Sequence, residues 1–97
     1  MKVRFTSLAQ KEYQEAVFYY DDKNIIAGNQ FIEEIDQAIK TIISFPYAWS
    51  KAGTKLRKYV LKRFPYAVFY KPYEDYVIIS AIAHQHRNPS YYFKNRS

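Results

Sequence analysis

The hydrophobic periodicity of this chain changes at Pro46, and this change constrains the fold more than any other feature. Before Pro46 apolar residues recur at the three- and four-residue spacing of helices, and after it they alternate or run together as in strands. Pro46 lacks a backbone donor and disfavours helical geometry at the preceding residue, so a helix must end there. The order predicts helices followed by a sheet in one domain spanning residues 1–97.

Two amphipathic helices are predicted before Pro46. The first begins at a capping box with Ser7 as N-cap and Gln10 three residues on, and it ends at Asp21–Asn24. The second begins near Ile26. The apolar stripe of the first consists of Ala9, Tyr13, Ala16, Val17 and Tyr20. The second has an apolar face of Phe31, Ile32, Ile35, Ala38, Ile39 and Ile42 and a solvent face of Glu33, Glu34, Asp36, Gln37 and Lys40.

The link between the two helices is short, which predicts an antiparallel hairpin. Gly28 lies in the first turns of the second helix, where glycine lowers helix propensity. A close approach of the first helix at this position would explain why a residue without a side chain is present.

Strand signals lie on both sides of the helices. Residues 3–5 form a short strand before them, and Ala48–Thr54 forms a loop after them. Three further strands, rich in β-branched and aromatic residues, are predicted at Lys55–Lys62, Tyr66–Tyr70 and Tyr76–Ala83. The last is apolar on both faces, so we expect it to be central and covered by the helices. The order β-α-α-β-β-β predicts an α+β fold, with the helical hairpin on one face of a largely antiparallel sheet and an open face of Arg, Lys and Tyr opposite.

Positive charge is concentrated in the second half of the chain. The net charge is +6, with five Lys/Arg and seven Asp/Glu in residues 1–50 but ten Lys/Arg and two Asp/Glu in residues 51–97. A basic half indicates a polyanionic partner, either nucleic acid or an acidic protein. The alternative is a basic surface that is merely solvated.

Several classes of protein are excluded by what the sequence lacks. Without cysteine there is no disulfide and no Cys-ligated zinc, which is consistent with a cytoplasmic location. No apolar run is long enough to span a membrane, and polar residues follow Met1–Phe5, so neither a membrane partner nor export is expected. His84 and His86 have no third ligand nearby, so no metal site is predicted, and no cofactor is expected.

Three short motifs follow one another in the basic half. They are Arg63-Phe64-Pro65-Tyr66, then Tyr70, then His84-x-x-Arg87-x-Pro89-x-x-Tyr92. Their order and spacing resemble the RelE/ParE toxin superfamily of bacterial type II toxin–antitoxin, or plasmid-stabilisation, systems, and the ParE-like branch in particular. The resemblance covers essentially the whole chain. It departs at Tyr92, where the family often has Trp, and at His86, within a stretch that is often rich in Arg.

The resemblance implies a fold, a partner and a target. The fold would be the β-α-α-β-β-β arrangement predicted above. The partner would be a cognate antitoxin, acidic in part, laid across the toxin as a helix and an extended segment. The target would be DNA gyrase for a ParE-like toxin, or mRNA in the ribosomal A site for a RelE-like mRNA interferase.

RNA cleavage needs a base at the ribose 2′-OH, an acid at the leaving oxygen and cations at the phosphate. The resemblance implies that Arg63, Arg87 and Tyr92 are the nearest matches to a RelE-like catalytic set, and His84 is a catalytic candidate as a titrating group. Further candidates are His86 as a titrating group and Tyr91 as a stacking group. Lys55, Lys58 and Lys62 could add cations. Because Lys58 and Lys62 share the strand parity of Leu56 and Val60, a single basic face on this strand is not expected.

Gyrase inhibition needs a contact surface and no catalytic set. The residues predicted to bind a partner are Arg57, Arg63, His84, His86, Arg87, Tyr91, Tyr92 and Arg96, since Arg and aromatic residues are common interface anchors. Structural roles are open for several: His84 as a hydrogen-bonded strand end, Arg63 as a turn residue and Arg87 in an internal ion pair. A third interpretation is a basic binding module without toxicity.

Overall fold

A helical hairpin lies against one face of a five-stranded sheet in the computed structural model, which describes residues 1–85. The elements in chain order are β1 (Lys2–Phe5), α1 (Ser7–Lys23), α2 (Ile25–Ser44), β2 (Lys51–Ala52), β3 (Leu56–Val60), β4 (Tyr66–Pro72) and β5 (Tyr76–His84). The predicted α+β class and the order of helices and long strands are confirmed. Within residues 1–85 no helix has both the length and the apolar character needed to cross a membrane.

The N-cap of helix α1 lies one residue earlier in the chain than the sequence predicts. Thr6, not Ser7, is the N-cap: its backbone is extended and its hydroxyl oxygen accepts a hydrogen bond from the Ala9 N–H at 3.1 Å. The prediction of Ser7 was wrong because adjacent Thr and Ser are both good caps, and only the backbone angle at the strand-to-helix turn selects between them. The same Thr6 hydroxyl donates to the Ser80 carbonyl at 3.4 Å, which ties the helix start to β5.

Asn24 serves both helices of the hairpin. Its backbone N–H donates to the Tyr20 carbonyl at the end of α1, and its side-chain oxygen accepts from the Ile26 N–H at 2.8 Å at the start of α2. Gly28 faces Asp21 so closely that an added Cβ would lie 3.0 Å from the Asp21 Cα. The expected close approach is confirmed. Helix α2 ends at Ser44, immediately before the Phe45-Pro46 pair.

The sheet has the order β1-β5-β4-β3-β2. Three of its four pairings are antiparallel and β1 runs parallel to β5, so the sheet is largely antiparallel. Strand β5 lies between β1 and β4, in the interior position expected of it. The segment Ala48–Thr54 is not only a loop, because the two residues of β2 pair with Leu56 and Arg57 across a tight turn that Gly53 enters at a positive φ of 75°.

The main core lies between the hairpin and the sheet. Its largest fully buried side chains are Tyr70, Phe31, Ile35, Ile42, Ile79, Ile82, Val68 and Val77. Beyond Phe5, where β1 ends, the carboxylate of Glu12 on α1 accepts the Ile82 N–H at 3.0 Å. This side-chain acceptor takes the place of a strand partner beside β5.

A second buried cluster lies on the opposite sheet surface, which we call the far face. It consists of Leu56, Ala67, Phe69, Ala81 and Ala83. Register places Arg4, Lys58 and Lys71 on the same surface as this cluster. The expectation that this whole face is open and polar was therefore wrong at its centre. The β-strand alternation of β3 and β4 puts small and apolar residues there, and basic residues surround them.

Candidate functional site

Two of the predicted site residues, Arg63 and His84, lie on neighbouring segments at one end of the sheet. Tyr66 pairs with His84 across β4 and β5, and the Leu61 N–H donates to the Tyr66 carbonyl at 3.0 Å. The Gln85 N–H donates to the Pro65 carbonyl at 2.9 Å and closes this end. These pairings bring the turn that carries Arg63 beside the end of β5. We call this region the His84 end of the sheet.

His84 lies half-buried at the last position of β5. Its ring makes an edge-to-face contact with the Tyr66 ring, with 5.5 Å between their centroids. This contact restricts the orientation of the His84 ring. A partner that approached this end of the sheet would meet the imidazole in a set position.

An aromatic cluster packs the two helices against the His84 end of the sheet. Tyr20, Phe31, Phe64 and Tyr66 make ring contacts with centroid separations of 4.8 to 6.1 Å. Burial raises the pKa of the Tyr20 hydroxyl, and the neighbouring Tyr66 and Tyr19 raise it further, so Tyr20 stays neutral at physiological pH. The cluster joins both helices to the turn between β3 and β4, and it gives the Arg63 turn a rigid base.

Arg63 is held by a carboxylate that the sequence places on the solvent face of α2. Glu34 accepts hydrogen bonds from the backbone N–H of Lys62 and of Arg63, the latter at 3.0 Å, and forms an ion pair with the Arg63 Nε at 3.2 Å. The Glu34 side chain is only 11% exposed, whereas that of Arg63 is 57% exposed. Sequence reasoning missed Glu34 because nothing local distinguishes it from the neighbouring acids. Its partner lies 29 residues away.

Arg57 is placed far from the other site residues. It pairs with Tyr70, toward the opposite end of β3 and β4 from the Tyr66–His84 pair. Its Nη1 donates to the carbonyls of Trp49 at 2.8 Å and Tyr47 at 3.2 Å, and its guanidinium lies 5.3 Å from the Tyr47 ring. Arg57 thus holds the loop that follows α2, and the structure does not bring it together with Arg63 or His84.

The remaining candidates cannot be placed in the same way. His86, Arg87, Tyr91, Tyr92 and Arg96 lie outside the described residues. Lys58 shares the far face with Phe69, and its Nζ lies 6.0 Å from the Phe69 ring. This confirms that Lys58 follows the parity of the apolar positions of β3. Within the described part of the chain, no three His, Cys, Asp or Glu residues are grouped to hold a metal ion.

A groove of about 930 Å³ runs between α2 and β3. We call it the α2–β3 groove and define it by Glu34, Gln37, Thr41, Trp49, Lys58 and Val60. Arg63 also lines it, so the groove is continuous with the His84 end of the sheet. The ring of Trp49 makes an edge-to-face contact with Tyr59 at 4.9 Å between centroids. The sequence has no local signal for this groove, because it arises where the sheet and the second helix diverge.

Comparisons with known proteins agree with this geometry. The sequence model of the family described as "ParE toxin of type II toxin-antitoxin system, parDE" matches residues 3–89. A solved structure described as the chromosomal ParDE TA system from P. aeruginosa matches with a TM-score of 0.68 and 16% sequence identity, over 87% of this chain and 95% of that one. No curated protein matches the sequence.

Proposed function

Because this chain belongs to the ParE toxin family of type II toxin–antitoxin systems, we propose that it inhibits DNA gyrase by binding it and that a cognate antitoxin neutralises it. The observation that carries the proposal is the family match over residues 3–89, which includes the Arg63 turn and all of β5. Both proteins would meet the toxin in the cytoplasm. The action is binding to a surface, with no covalent step.

The geometry of the described residues favours binding over RNA cleavage. Cleavage needs a base, an acid and free cations that converge on one phosphate. Within residues 1–85, the His84 end of the sheet brings together His84 and Arg63, and the Arg63 Nε is already paired with Glu34. Arg57 is bound to loop carbonyls at the other end of β3. A partly exposed Arg and a half-buried His on a rigid base are better suited to anchor a protein partner.

Charge supports an acidic antitoxin as the second partner. The ten Lys/Arg of residues 51–97 face only two acids in the same half of the chain. An acidic, amphipathic segment would neutralise this surface and speed association. The structural match belongs to a ParDE TA system, and an antitoxin of that kind is the partner we propose for this chain.

A gyrase supercoiling assay with the purified protein tests the proposal. We expect inhibition at micromolar toxin, and we expect stoichiometric antitoxin to restore supercoiling. An Arg63→Glu variant should inhibit less, whereas Lys51→Glu, a charge reversal at an exposed residue that pairs with Arg57 toward the opposite end of the sheet, should inhibit as the wild type does. Full supercoiling at all toxin concentrations would reject gyrase as the target.

Primer extension on translated mRNA tests the RelE-like alternative in the same samples. We expect intact message. Cuts at the ribosomal A site that disappear in an Arg87→Ala variant would replace gyrase inhibition with RNA cleavage as the activity.

A further inference from the structure

We propose that the far face of the sheet binds duplex DNA through its phosphate backbone, without reading the base sequence. Four side chains make the contacts, and we call them the far-face cations: Lys2, Arg4, Lys58 and Lys71. This inference goes beyond the proposed function, which needs only contacts with gyrase and with the antitoxin. It rests on that function in one respect: gyrase acts on duplex DNA, so DNA is the duplex that a gyrase-bound toxin would meet.

Most of the acids lie on the opposite side of the sheet from the far-face cations. Seven of the nine acids belong to α1 and α2, and no strand within residues 1–85 contains an acid. The other two, Glu74 and Asp75, are exposed in the turn between β4 and β5. No ion pair joins an acid of residues 1–85 to a far-face cation. The positive charge of this face is therefore not neutralised internally, which favours a polyanionic partner.

Strand register places Arg4 and Lys71 on either side of one residue of β5. Arg4 of β1 pairs with Ile78, and Ile78 pairs in turn with Lys71 of β4. Adjacent strands lie about 4.8 Å apart, so the backbones of the two cationic residues are about 10 Å apart. Duplex DNA carries one negative charge per about 1.7 Å of its axis, and a span of this length passes several phosphates. One DNA segment can therefore contact both side chains.

Two tyrosines hold Arg4 and Lys71 in position. The rings of Tyr73 and Tyr76 stack nearly in parallel, with 4.7 Å between their centroids and 10° between their planes. The Arg4 guanidinium lies over the Tyr76 ring at 5.8 Å. The Lys71 ammonium lies over the Tyr73 ring at 5.2 Å. Because stacked rings leave no space for a cation between them, each cation lies on an outer ring face, where it is ordered before a phosphate binds.

The same pair of rings favours double-stranded over single-stranded DNA. Proteins bind single strands largely by stacking the bases on aromatic side chains. In this pair, each ring has one face against the other ring and its second face against a cation, so a base has no free ring face on which to stack. The groups that remain for a ligand are the N–H donors of the cations, and these match phosphate oxygens.

An acidic protein segment fits this surface less well than DNA does. Protein interfaces have a core of aromatic and apolar anchors inside a polar rim. The apolar side chains at the centre of the far face are already buried, with at most 4% exposure: Leu56, Ala67, Phe69, Ala81 and Ala83. A protein partner would therefore reach the cations but find few anchors beside them.

Fluorescence anisotropy of a labelled duplex of random sequence tests the inference with the purified full-length toxin. The double variant Arg4→Gln/Lys71→Gln is compared with Lys11→Gln/Lys23→Gln, which changes two exposed lysines of α1 and lowers the net charge equally. At 0.1 M salt we expect the far-face variant to lose about tenfold in affinity per cation, and its salt dependence to become shallower by about 2 in log–log slope. The α1 variant should bind nearly as wild type, and so should Arg4→Lys/Lys71→Arg, which keeps both charges.

Chemical acetylation of lysines in the wild-type toxin, measured by mass spectrometry, is a second test that does not depend on a variant folding. Duplex DNA should protect Lys58 and Lys71 and leave Lys11 and Lys23 reactive. No binding by the wild type, equal affinities of the far-face and α1 variants, tighter binding of a single strand than of the duplex, or unprotected Lys71 would overturn the inference. A far-face variant that lost antitoxin binding but kept DNA binding would identify an acidic protein as the partner and also overturn it. The DNA-binding and acetylation assays contain no gyrase, so a failure of the proposed gyrase inhibition would not alter their outcome.

Discussion

Glu34 on α2 holds Arg63 by its backbone and its side chain at once. One carboxylate oxygen accepts the Arg63 N–H at 3.0 Å and the other lies 3.2 Å from the Arg63 Nε. The same carboxylate receives the Lys62 N–H. A single acid therefore connects the second helix to the turn between β3 and β4, beside the α2–β3 groove and the His84 end of the sheet.

Replacing Glu34 should destabilise the protein more than replacing its neighbour. Glu34→Ala leaves two backbone N–H groups without their acceptor, and we expect a loss of about 1–3 kcal/mol in the free energy of unfolding. The Arg63 ion pair adds little to this value because that side chain is mostly exposed. Glu33→Ala is the matched control, since Glu33 is exposed on the same helix. Urea denaturation measures both, and equal values for the two variants would contradict the role assigned to Glu34.

The identity of the N-cap can be tested by two adjacent substitutions. Thr6→Ala removes the acceptor for the Ala9 N–H, so we expect it to lower stability by about 1 kcal/mol. Ser7→Ala should change stability little, because Ser7 is already the first residue of α1. Thr6→Ser retains the cap and should restore most of the loss. Thermal unfolding of the three variants provides the measurement, and a larger effect at Ser7 would reinstate the cap predicted from sequence.

Gly28→Ala should destabilise the hairpin although alanine favours helices. An added Cβ would lie 2.8 Å from the Asp21 Oδ1 and 3.0 Å from the Asp21 Cα, and the backbone atom can move away only if the helices separate. We expect a net loss of about 1–3 kcal/mol, typical of overpacking. Asn29→Ala, at the next and exposed position, should be neutral or stabilising. Stabilisation by Gly28→Ala in chemical denaturation would show that the helices can separate at low cost.

Tyr70 should make stability depend on pH in the alkaline range. Its hydroxyl donates to the Pro46 carbonyl at 2.7 Å, and burial, partly offset by Arg57, raises the pKa of the Tyr70 hydroxyl to about 12. An unfolded tyrosine has a pKa of about 10. The folded state therefore keeps its proton while the unfolded state loses it. The contribution of the protonated Tyr70 hydroxyl to the free energy of unfolding is therefore complete below about pH 10, and it is lost as pH rises toward about 12.

Comparison with Tyr70→Phe isolates this contribution from those of other tyrosines. At neutral pH we expect Tyr70→Phe to be about 1 kcal/mol less stable, through loss of the hydrogen bond to Pro46. Between about pH 10 and about 12 the wild type should lose more stability than the variant, so the difference should shrink. Denaturation at several pH values measures this, and parallel pH profiles would contradict it.

Binding of the antitoxin should weaken as salt is raised. The acidic segment we propose would face a surface with a large excess of Lys and Arg. Salt screens such charges, with a Debye length of about 10 Å at 0.1 M and about 3 Å at 1 M ionic strength. Affinity measured by calorimetry across this range should fall, mainly through slower association. An affinity indifferent to salt would reject the electrostatic account of this interface.

Local signals in the sequence determined the elements of this protein. The apolar stripes, the Pro46 break and the aromatic and β-branched runs predicted both helices, the three long strands and an interior β5. These features depend on residues a few positions apart, so the chain itself specifies them. Gly28 belongs with them, because only a close neighbour explains glycine in the first turns of a helix.

Only the tertiary structure decided which polar side chains act together. Glu34 and Glu12 look alike on the solvent faces of two helices, yet one holds the Arg63 turn and the other accepts the Ile82 N–H of β5. Arg57 and Arg63 look alike on neighbouring stretches, yet the first holds a loop and the second faces the groove. These partners are brought together by the packing of helices on the sheet. Hydrogen bonds between residues far apart in the chain leave no local pattern from which they could be read.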